Sequence, residues 1–333
     1  MPTSVFNQKR FKKVAITTGD PSGIGFEVTA KALAAFSKEN SKPVLFFIFR
    51  NYQQEKKQGR YFKLIDQNWT RVTFFSLDLA LIFSNSLTRK DLQNKKILID
   101  LSLKSSAADW VFETARACSY KLLDSLVTAP LSKTLVKKSG YSQLGHTGIF
   151  RSLFPKHPMH MGFVGKDFNV LLVTDHIPLS KVATALNSKS IRAALISALI
   201  FKKALASRKD IAVLGLNPHA GEAGLIGHNE QILFKRLPRG FVGPLVPDAA
   251  FLKKNWTRFC LFVCAYHDQG LIPFKMHHGQ DSGVHVTLGL PFVRTSVDHG
   301  TAFDIFNKDL ANSASMLEAI YFNLKLLENT KHV

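Results

Sequence analysis

Three short apolar runs in this chain each lead to a histidine. Phe168–Val173 leads to His176, Ile211–Leu216 leads to His219, and Phe259–Tyr266 leads directly to His267. Continuous apolar runs are typical of buried parallel strands, and α/β sheets bind ligands at the carboxyl ends of such strands. Three imidazoles at one sheet edge have the chemistry to bind a divalent metal and leave coordination positions open for water or substrate.

A simpler interpretation exists for each histidine alone. A single histidine after a strand is more often a hydrogen-bonded loop residue than a metal ligand. The three residues are also far apart in the sequence, so they form no local metal-binding motif. The repetition of the pattern is what favours metal binding, and we therefore predict one divalent metal site made by His176, His219 and His267.

The rest of the chain alternates between strand-like and helix-like segments. Ser190–Ala206 places apolar side chains on one face with a 3.6-residue period, as a helix requires. Alternation of this kind over the whole length predicts an α/β fold with a largely parallel sheet. The most polar stretch, Arg50–Arg60, reads as a loop.

Composition sets limits on the class of protein. The chain has 333 residues, 46% of them hydrophobic, and a formal net charge of +20. This length is enough for two domains. The basic residues are scattered in pairs without a nucleic-acid-binding motif, so we predict a solvated basic surface and no nucleic-acid partner; charge alone leaves a nucleic-acid-binding protein as a distant alternative. Three cysteines and the lack of a membrane-length apolar run predict a cytoplasmic protein without a membrane partner.

Several polar groups allow both a functional and a structural interpretation. The Gly-rich segment Thr17–Glu27 suits either an anion at a helix N-terminus or a tight strand-to-helix turn. His146 and Thr147 could bind a polar substrate or be a surface histidine beside a helix cap. Lys275 and Arg294 could bind a phosphate or carboxylate, or be solvated or internally paired.

Six sequence blocks resemble the 4-hydroxythreonine-4-phosphate dehydrogenase family of pyridoxal phosphate biosynthesis. They occur in the family's order and cover most of the chain: T-x-G-D-P-x-G-I-G at 17–25, T-A-P-L-x-K at 128–133, G-H-T at 145–147, N-P-H-A-G-E at 217–222, Y-H-D-Q-G at 266–270, and T-L-G-L-P-F-V-R-T-S-V-D-H-G-T-A at 287–302.

The resemblance implies an isocitrate/isopropylmalate-dehydrogenase-like fold, with two α/β domains and a cleft between them. We place one domain at 1–135 plus 300–333, carrying much of the nucleotide site. The other, at 136–299, would carry the metal ligands and the dimer interface. The family also implies a homodimer whose active site is shared between subunits; in one version of this arrangement, His176 and His267 of one site come from different chains.

The resemblance further implies a metal-dependent, NAD- or NADP-linked dehydrogenase. It would oxidise 4-phosphooxy-L-threonine and decarboxylate the product to 3-amino-2-oxopropyl phosphate, using Zn, Mg or Co. A related enzyme for phosphorylated threonate or erythronate is the alternative. The implied metal ligands are again His176, His219 and His267. The other implied roles are substrate binding by His146, Thr147, Lys275, His285 and Arg294, proton transfer by Asp248 or Lys133, and cofactor binding by His299, Gly300 and Thr301.

This chain also departs from the family pattern. His285 stands where the family usually has Asn, and the segment 275–285 differs and is one residue longer. Phe306 and Asn307 replace the Ala-Gly pair that normally follows the H-G-T-A block.

Overall fold

The computed structural model describes residues 11–40, 42–142, 145–279 and 283–329. Part of the divergent segment 275–285, namely 280–282, therefore lies outside the described residues. The strands are β1 Lys12–Thr17, β2 Val44–Asn51, β3 Thr70–Phe74, β4 Ile97–Leu103, β5 Ser125–Thr128, β6 His160–Val164, β7 Asn169–Leu172, β8 Asp210–Leu214, β9 Phe241–Leu245, β10 Phe259–Cys264, β11 Val284–Leu288 and β12 Val293–Val297.

Helices alternate with these strands along most of the chain. They are α1 Gly25–Glu39, α2 Gln54–Lys57, α3 Gly59–Asp66, α4 Leu77–Ser86, α5 Arg89–Lys95, α6 Ala107–Ser119, α7 Lys133–Lys138, α8 Gly145–Leu153, α9 Val182–Ala185, α10 Ser188–Ala204, α11 Asn229–Leu233, α12 Pro247–Ala250, α13 Lys253–Arg258, α14 His267–His278 and α15 Ala314–Asn329. The predicted α/β class is confirmed. No helix in the described ranges is both long and apolar enough to span a membrane.

The chain forms two compact units. The first comprises residues 1–155 and 291–323, and the second comprises residues 156–290 and 324–333. The division predicted from the sequence, at 1–135 plus 300–333 and 136–299, concerns domains that carry separate functions and stays a prediction.

The first unit contains a fully parallel set of six strands. Its strand order is β3-β4-β2-β1-β5-β12, and the pairings between neighbours are all parallel. Strand β1 is central and almost wholly buried, with the pattern expected when helices cover both faces of a sheet. Its carboxyl end at Thr17 feeds the Gly-rich segment that leads into α1.

The second unit combines parallel and antiparallel strands in the order β11-β6-β7-β10-β8-β9. Strands β7, β10, β8 and β9 are mutually parallel, whereas β6 pairs antiparallel with both β7 and β11. Buried aromatic side chains such as Phe168, Phe262 and Phe274 make up much of the core on which α14 packs. This packing fixes the position of α14, which begins at His267.

The expectation that Arg50–Arg60 is a loop is wrong. Arg50 is fully buried at the end of β2, and its guanidinium forms two hydrogen bonds to the Asp100 carboxylate, at 2.7 and 2.8 Å. Gln54 and Gln58 are buried as well. The polar composition of this segment suggested that it is exposed. Instead, the ion pair with Asp100 compensates the buried charge of Arg50, and the rest of the segment forms α2 and the start of α3.

Candidate active site

The predicted metal ligands follow three adjacent strands of the second unit. His176 follows β7, His267 follows β10 and His219 follows β8, and β10 lies between the other two in the sheet. Since these strands are parallel, their carboxyl ends lie at the same edge. The strand-end placement inferred from the apolar runs is therefore confirmed, while metal binding itself stays a prediction.

Hydrogen bonds tie the three strand ends together. The Thr174 hydroxyl donates to the Ala265 carbonyl at 2.8 Å, which links the segment before His176 to the end of β10. Gln269 accepts from the Ala265 amide at 2.7 Å and donates to the Gly215 carbonyl at 2.8 Å. One side chain thus joins the ends of β10 and β8 and limits how far their loops can separate.

His176 and His267 lie next to each other in one chain. Their ring centroids are 5.3 Å apart. The Nδ1 atom of His267 lies 2.6 Å from an Asp268 carboxylate oxygen, so a neutral imidazole would donate from Nδ1 and present the lone pair of Nε2. Metal-binding histidines commonly have a carboxylate partner of this kind, which orients the ring and increases its basicity.

His219 lies in a loop of unusual backbone conformation. Five consecutive residues, His219 to Ala223, have φ between 44° and 83°, in the left-handed region that non-glycine residues seldom adopt. The buried Glu230 carboxylate anchors the start of this loop, accepting hydrogen bonds from the Leu216 and Asn217 amides at 2.8 and 2.7 Å. Such a strained segment persists only when surrounding contacts determine it, and functional sites are where it is usually found.

His219 does not complete a three-histidine set within this chain. Its side chain is 65% exposed and its Nδ1 lies 3.3 Å from Glu222 Oε2. Among the residues that the structure describes, the group whose ligand atoms all fall within 4.8 Å of one another is Asp167, His277 and His278. His176, His219 and His267 do not meet that distance.

Three more predicted residues belong to the second unit. Asp248 is exposed in α12, just beyond the carboxyl end of β9 and so at the same sheet edge as the histidines. Lys275 is half-buried in the last turn of α14, about 12 Å along the helix axis from His267. His285 is buried within β11, with its ring centroid 5.0 Å from that of Phe163.

In the first unit, three sequence blocks meet around the Gly-rich segment. The Ile24 amide donates to the Thr301 carbonyl at 3.0 Å, and the Asp20 amide donates to the Pro130 carbonyl at 2.9 Å. The Asp20 carboxylate accepts from the Ser132 hydroxyl at 2.6 Å. A Cβ atom on Gly19 would lie 2.0 Å from the Pro130 oxygen, so Gly19 at least is required by close backbone packing.

Replacing Gly19 with Ala should therefore destabilise the fold. Its φ of +71° disfavours any side chain, and the new methyl group would overlap the Pro130 carbonyl. We expect a loss of roughly 2–5 kcal/mol in the free energy of unfolding, measured by denaturant titration. Gly59→Ala is the matched control, because a Cβ there meets nothing within 4 Å; equal stability of both variants would contradict this packing role.

Arg294 and His146 both pack beside the Phe150 ring in the first unit. Arg294 on β12 is 2% exposed, donates to the Thr128 hydroxyl at 2.5 Å and lies 5.4 Å from the Phe150 ring centroid. Burial lowers the pKa of its guanidinium to about 9, which leaves it charged at neutral pH. Burial, and then the charge of Arg294, hold the pKa of His146 well below its usual value.

This pair is suited to an anionic ligand. His146 lies in the first turn of α8, followed by half-buried Thr147, and its enclosed Nε2 has no hydrogen-bond partner within the described residues. An enclosed polar atom without a partner costs free energy that a ligand can recover. A desolvated guanidinium likewise gains more from a phosphate or carboxylate than an exposed one would.

The other predicted residues of the first unit lie in loops or at a helix start. Lys133 is exposed at the start of α7, which the Ser132 hydroxyl caps. His299 Nδ1 lies 2.9 Å from the Gly300 carbonyl, while its Nε2 is buried and has no hydrogen-bond partner within the described residues. A Cβ on Gly300 would meet nothing within 4 Å, so the backbone beside His299 is open to a ligand.

Sequence reasoning missed two residues that support the site. Gln269 lies inside the Y-H-D-Q-G block, and its position two residues after His267 was a signal that could have identified it. Glu230 follows the N-P-H-A-G-E block by several residues and carries no local signature. Both act on the backbone that holds the histidines rather than through exposed chemistry.

Comparison with known proteins identifies the family to which this chain belongs. The model of the pyridoxal phosphate biosynthetic protein PdxA matches residues 98–323. The chain belongs to the PdxA family. The match spans every predicted site residue from Lys133 to Thr301, and the predicted family is thereby confirmed.

Named relatives of the PdxA family extend over nearly the whole chain. The 4-hydroxythreonine-4-phosphate dehydrogenase of Aquifex aeolicus is 36% identical, covering 96% of this chain and 98% of the relative. That of Sulfurihydrogenibium sp. is 33% identical over 92% of this chain and 96% of the relative. A solved structure, a putative 4-hydroxythreonine-4-phosphate dehydrogenase from Salmonella typhimurium, has a TM-score of 0.75 and 30% identity, covering 95% of this chain and all of that one.

Proposed function

We propose that this protein is a 4-hydroxythreonine-4-phosphate dehydrogenase of pyridoxal phosphate biosynthesis. The substrate is 4-phosphooxy-L-threonine, whose secondary alcohol loses a hydride to NAD or NADP. The resulting β-keto acid loses CO₂ to give 3-amino-2-oxopropyl phosphate. The observation that carries the proposal is the alignment of His176, His267 and His219 at the carboxyl ends of adjacent parallel strands, in a member of the PdxA family.

The donor set fits a divalent metal such as Zn, Mg or Co, with imidazole favouring Zn and Co over Mg. His267 and His219 each have a carboxylate near Nδ1, which leaves Nε2 available as a ligand atom. When bound, the metal would lower the pKa of the substrate hydroxyl and stabilise negative charge on its oxygen. Asp268 and Glu222 would orient the imidazoles, and Gln269 and Glu230 would hold their backbone.

The remaining residues divide between anion binding and proton transfer. Arg294, His146 and Thr147 would bind an anionic group of the substrate, with Lys275 as a second cation and His285 as a further contact. The two acid–base candidates are Asp248, which lies at the histidine edge of the sheet, and Lys133. His299, Gly300 and Thr301 would bind the nicotinamide cofactor at the open backbone of their loop.

The direct test is reduction of NAD or NADP by the purified protein with 4-phosphooxy-L-threonine. Turnover should require a divalent metal, stop when a chelator is added and return when Zn²⁺ or Co²⁺ is restored. Because His285 departs from the usual Asn, phosphorylated threonate and erythronate are the comparison substrates. Faster turnover of phosphorylated threonate or erythronate would identify that compound as the substrate instead. Absence of turnover with all three compounds would refute the proposed function.

We further infer a homodimer in which a second copy of the chain supplies His219. The separation of 5.3 Å between the His176 and His267 rings of one chain favours assigning both ligands to the same chain, in place of the version that divides them between chains. His219 does not join this pair and is 65% exposed, although His176 is exposed as well. Its exposure and its anchored, left-handed loop suit a ligand that is presented to another subunit.

Replacing Arg294 should weaken substrate binding while leaving the fold intact. A charge-assisted hydrogen bond to phosphate or carboxylate contributes about 1.5–3 kcal/mol, so Arg294→Met should raise KM about ten- to a hundredfold. Arg294→Lys keeps the charge but loses the planar guanidinium, so its KM should lie between those of the wild type and of Arg294→Met.

Thermal unfolding of Arg294→Met separates this loss from misfolding. Methionine replaces a buried cation by an apolar side chain, so we expect little loss of stability. An unchanged KM in a folded Arg294→Met protein would contradict the role in anion binding.

A further inference from the structure

A second cluster of metal-ligating side chains lies at the other end of α14, apart from the predicted histidine set. It consists of Asp167 in the turn between β6 and β7, together with His277 and His278 in the last turn of α14. One ligand atom from each of the three falls within 4.8 Å of the others. None of these residues belongs to the sequence blocks that carry the family resemblance.

The two imidazoles converge on Asp167. His277 Nε2 lies 2.6 Å from the Asp167 carboxylate. His278 Nδ1 lies 3.1 Å from the Phe274 carbonyl, so in its neutral form it donates there, and its Nε2 accepts a hydrogen bond from the Asp167 amide at 3.2 Å. Both Nε2 atoms therefore lie beside Asp167, where a bound ion would replace their present hydrogen bonds.

Aromatic packing holds both rings in place. The His277 ring centroid is 4.3 Å from Trp256, and that of His278 is 4.7 Å from Phe168. A Cβ on Gly165 would lie 2.5 Å from the His278 ring, so the absence of a side chain there lets the turn approach the imidazole closely. Ligands that are already ordered lose less conformational entropy when an ion binds.

From this geometry we propose that Asp167, His277 and His278 bind a divalent transition metal of the zinc type. Two imidazoles and one carboxylate are a donor set for Zn²⁺, Co²⁺ or Ni²⁺ rather than for Mg²⁺ or Ca²⁺. Ligand atoms around tetrahedral zinc are about 3.3 Å apart, so those of the cluster, which lie within 4.8 Å of one another, would move closer by up to about 1.5 Å through side-chain rotation. The open sides of the half-exposed His277 and Asp167 leave room for water as the fourth ligand.

Such a metal would be structural. It would fasten the last turn of α14 to the turn between β6 and β7, and α14 is the helix that begins at His267 and carries Lys275. The proposal does not depend on the proposed dehydrogenase activity, because its residues are different and its test requires no turnover.

The test counts zinc in the full-length chain after removal of metal and reloading with Zn²⁺. In a His176→Ala background, which weakens the other proposed site, zinc should remain bound. Adding His277→Ala should then lower the affinity by at least about 10- to 100-fold, the cost seen for losing even an outer partner of a metal ligand. Adding His157→Ala, an exposed histidine outside both sets, should change nothing.

Trp256 gives a local readout beside the cluster. Co²⁺ should quench its fluorescence in the parent protein and not in the His277→Ala protein. Asp167→Asn is the second variant should His277→Ala fail to fold. Equal zinc affinity with and without His277 or Asp167, or no response of Trp256 to Co²⁺, would show that the cluster is an ion pair only and would overturn the proposal.

Discussion

His267→Ala should abolish turnover while leaving the protein folded. The imidazole is polar and 32% exposed, so replacing it with a methyl group removes little buried apolar surface. His267 also has a neighbouring imidazole, that of His176, and a carboxylate partner, that of Asp268. Metal assistance contributes several kcal/mol to a barrier of this kind, so turnover should fall by about a thousandfold or more.

Two companion variants give this experiment its specificity. Asp268→Asn keeps the ligand but removes the carboxylate beside Nδ1, and should lower metal affinity or activity about 10- to 100-fold. His157→Ala removes an exposed histidine of the same unit and should behave as wild type. Activity measurement, bound metal and thermal unfolding together separate loss of the ion from loss of the fold; full metal content and full activity in His267→Ala would exclude the role assigned to this residue.

The sequence predicted the edge of the sheet better than the loops that extend from it. The runs before His176, His219 and His267 are apolar because β7, β8 and β10 are covered on both faces, and burial of this kind leaves a direct mark on composition. The backbone after β8 left no such mark. Ala and Glu have no preference for the left-handed region, so the positive φ values from His219 to Ala223 result from tertiary contacts such as those of Glu230.

The sequence also did not predict the partners of two buried arginines. Arg50 and Arg294 look alike in the sequence, since each is a basic residue within an apolar strand. In the fold, the Asp100 carboxylate pairs with Arg50, whereas Arg294 donates to the Thr128 hydroxyl and has its pKa lowered by burial. Which partner each buried cation meets depends on strand order, and residue spacing does not encode it.

The arrangement of the histidines also predicts which pairs of inactive variants regain activity when they are mixed. If His176 and His267 come from one chain and His219 from its partner, a mixture of His219→Ala and His267→Ala should regain activity once subunits exchange. Each mixed dimer would have one site with all three ligands and one site lacking two. Random exchange of equal amounts makes about half of the dimers mixed, so recovery should approach about a quarter of the wild-type rate.

The matched control is a mixture of His176→Ala and His267→Ala. Both of these ligands belong to the same chain, so every site in a mixed dimer lacks one of them and activity should stay at the level of the single variants. Exchange is verified by mass spectrometry of differently labelled chains. Recovery in the control mixture would mean that the 5.3 Å pair is not the ligand pair of one site. Absence of recovery in the His219 mixture despite complete exchange would place all three ligands on one chain, and would require the loop from His219 to Ala223 to move toward His267 when the metal binds.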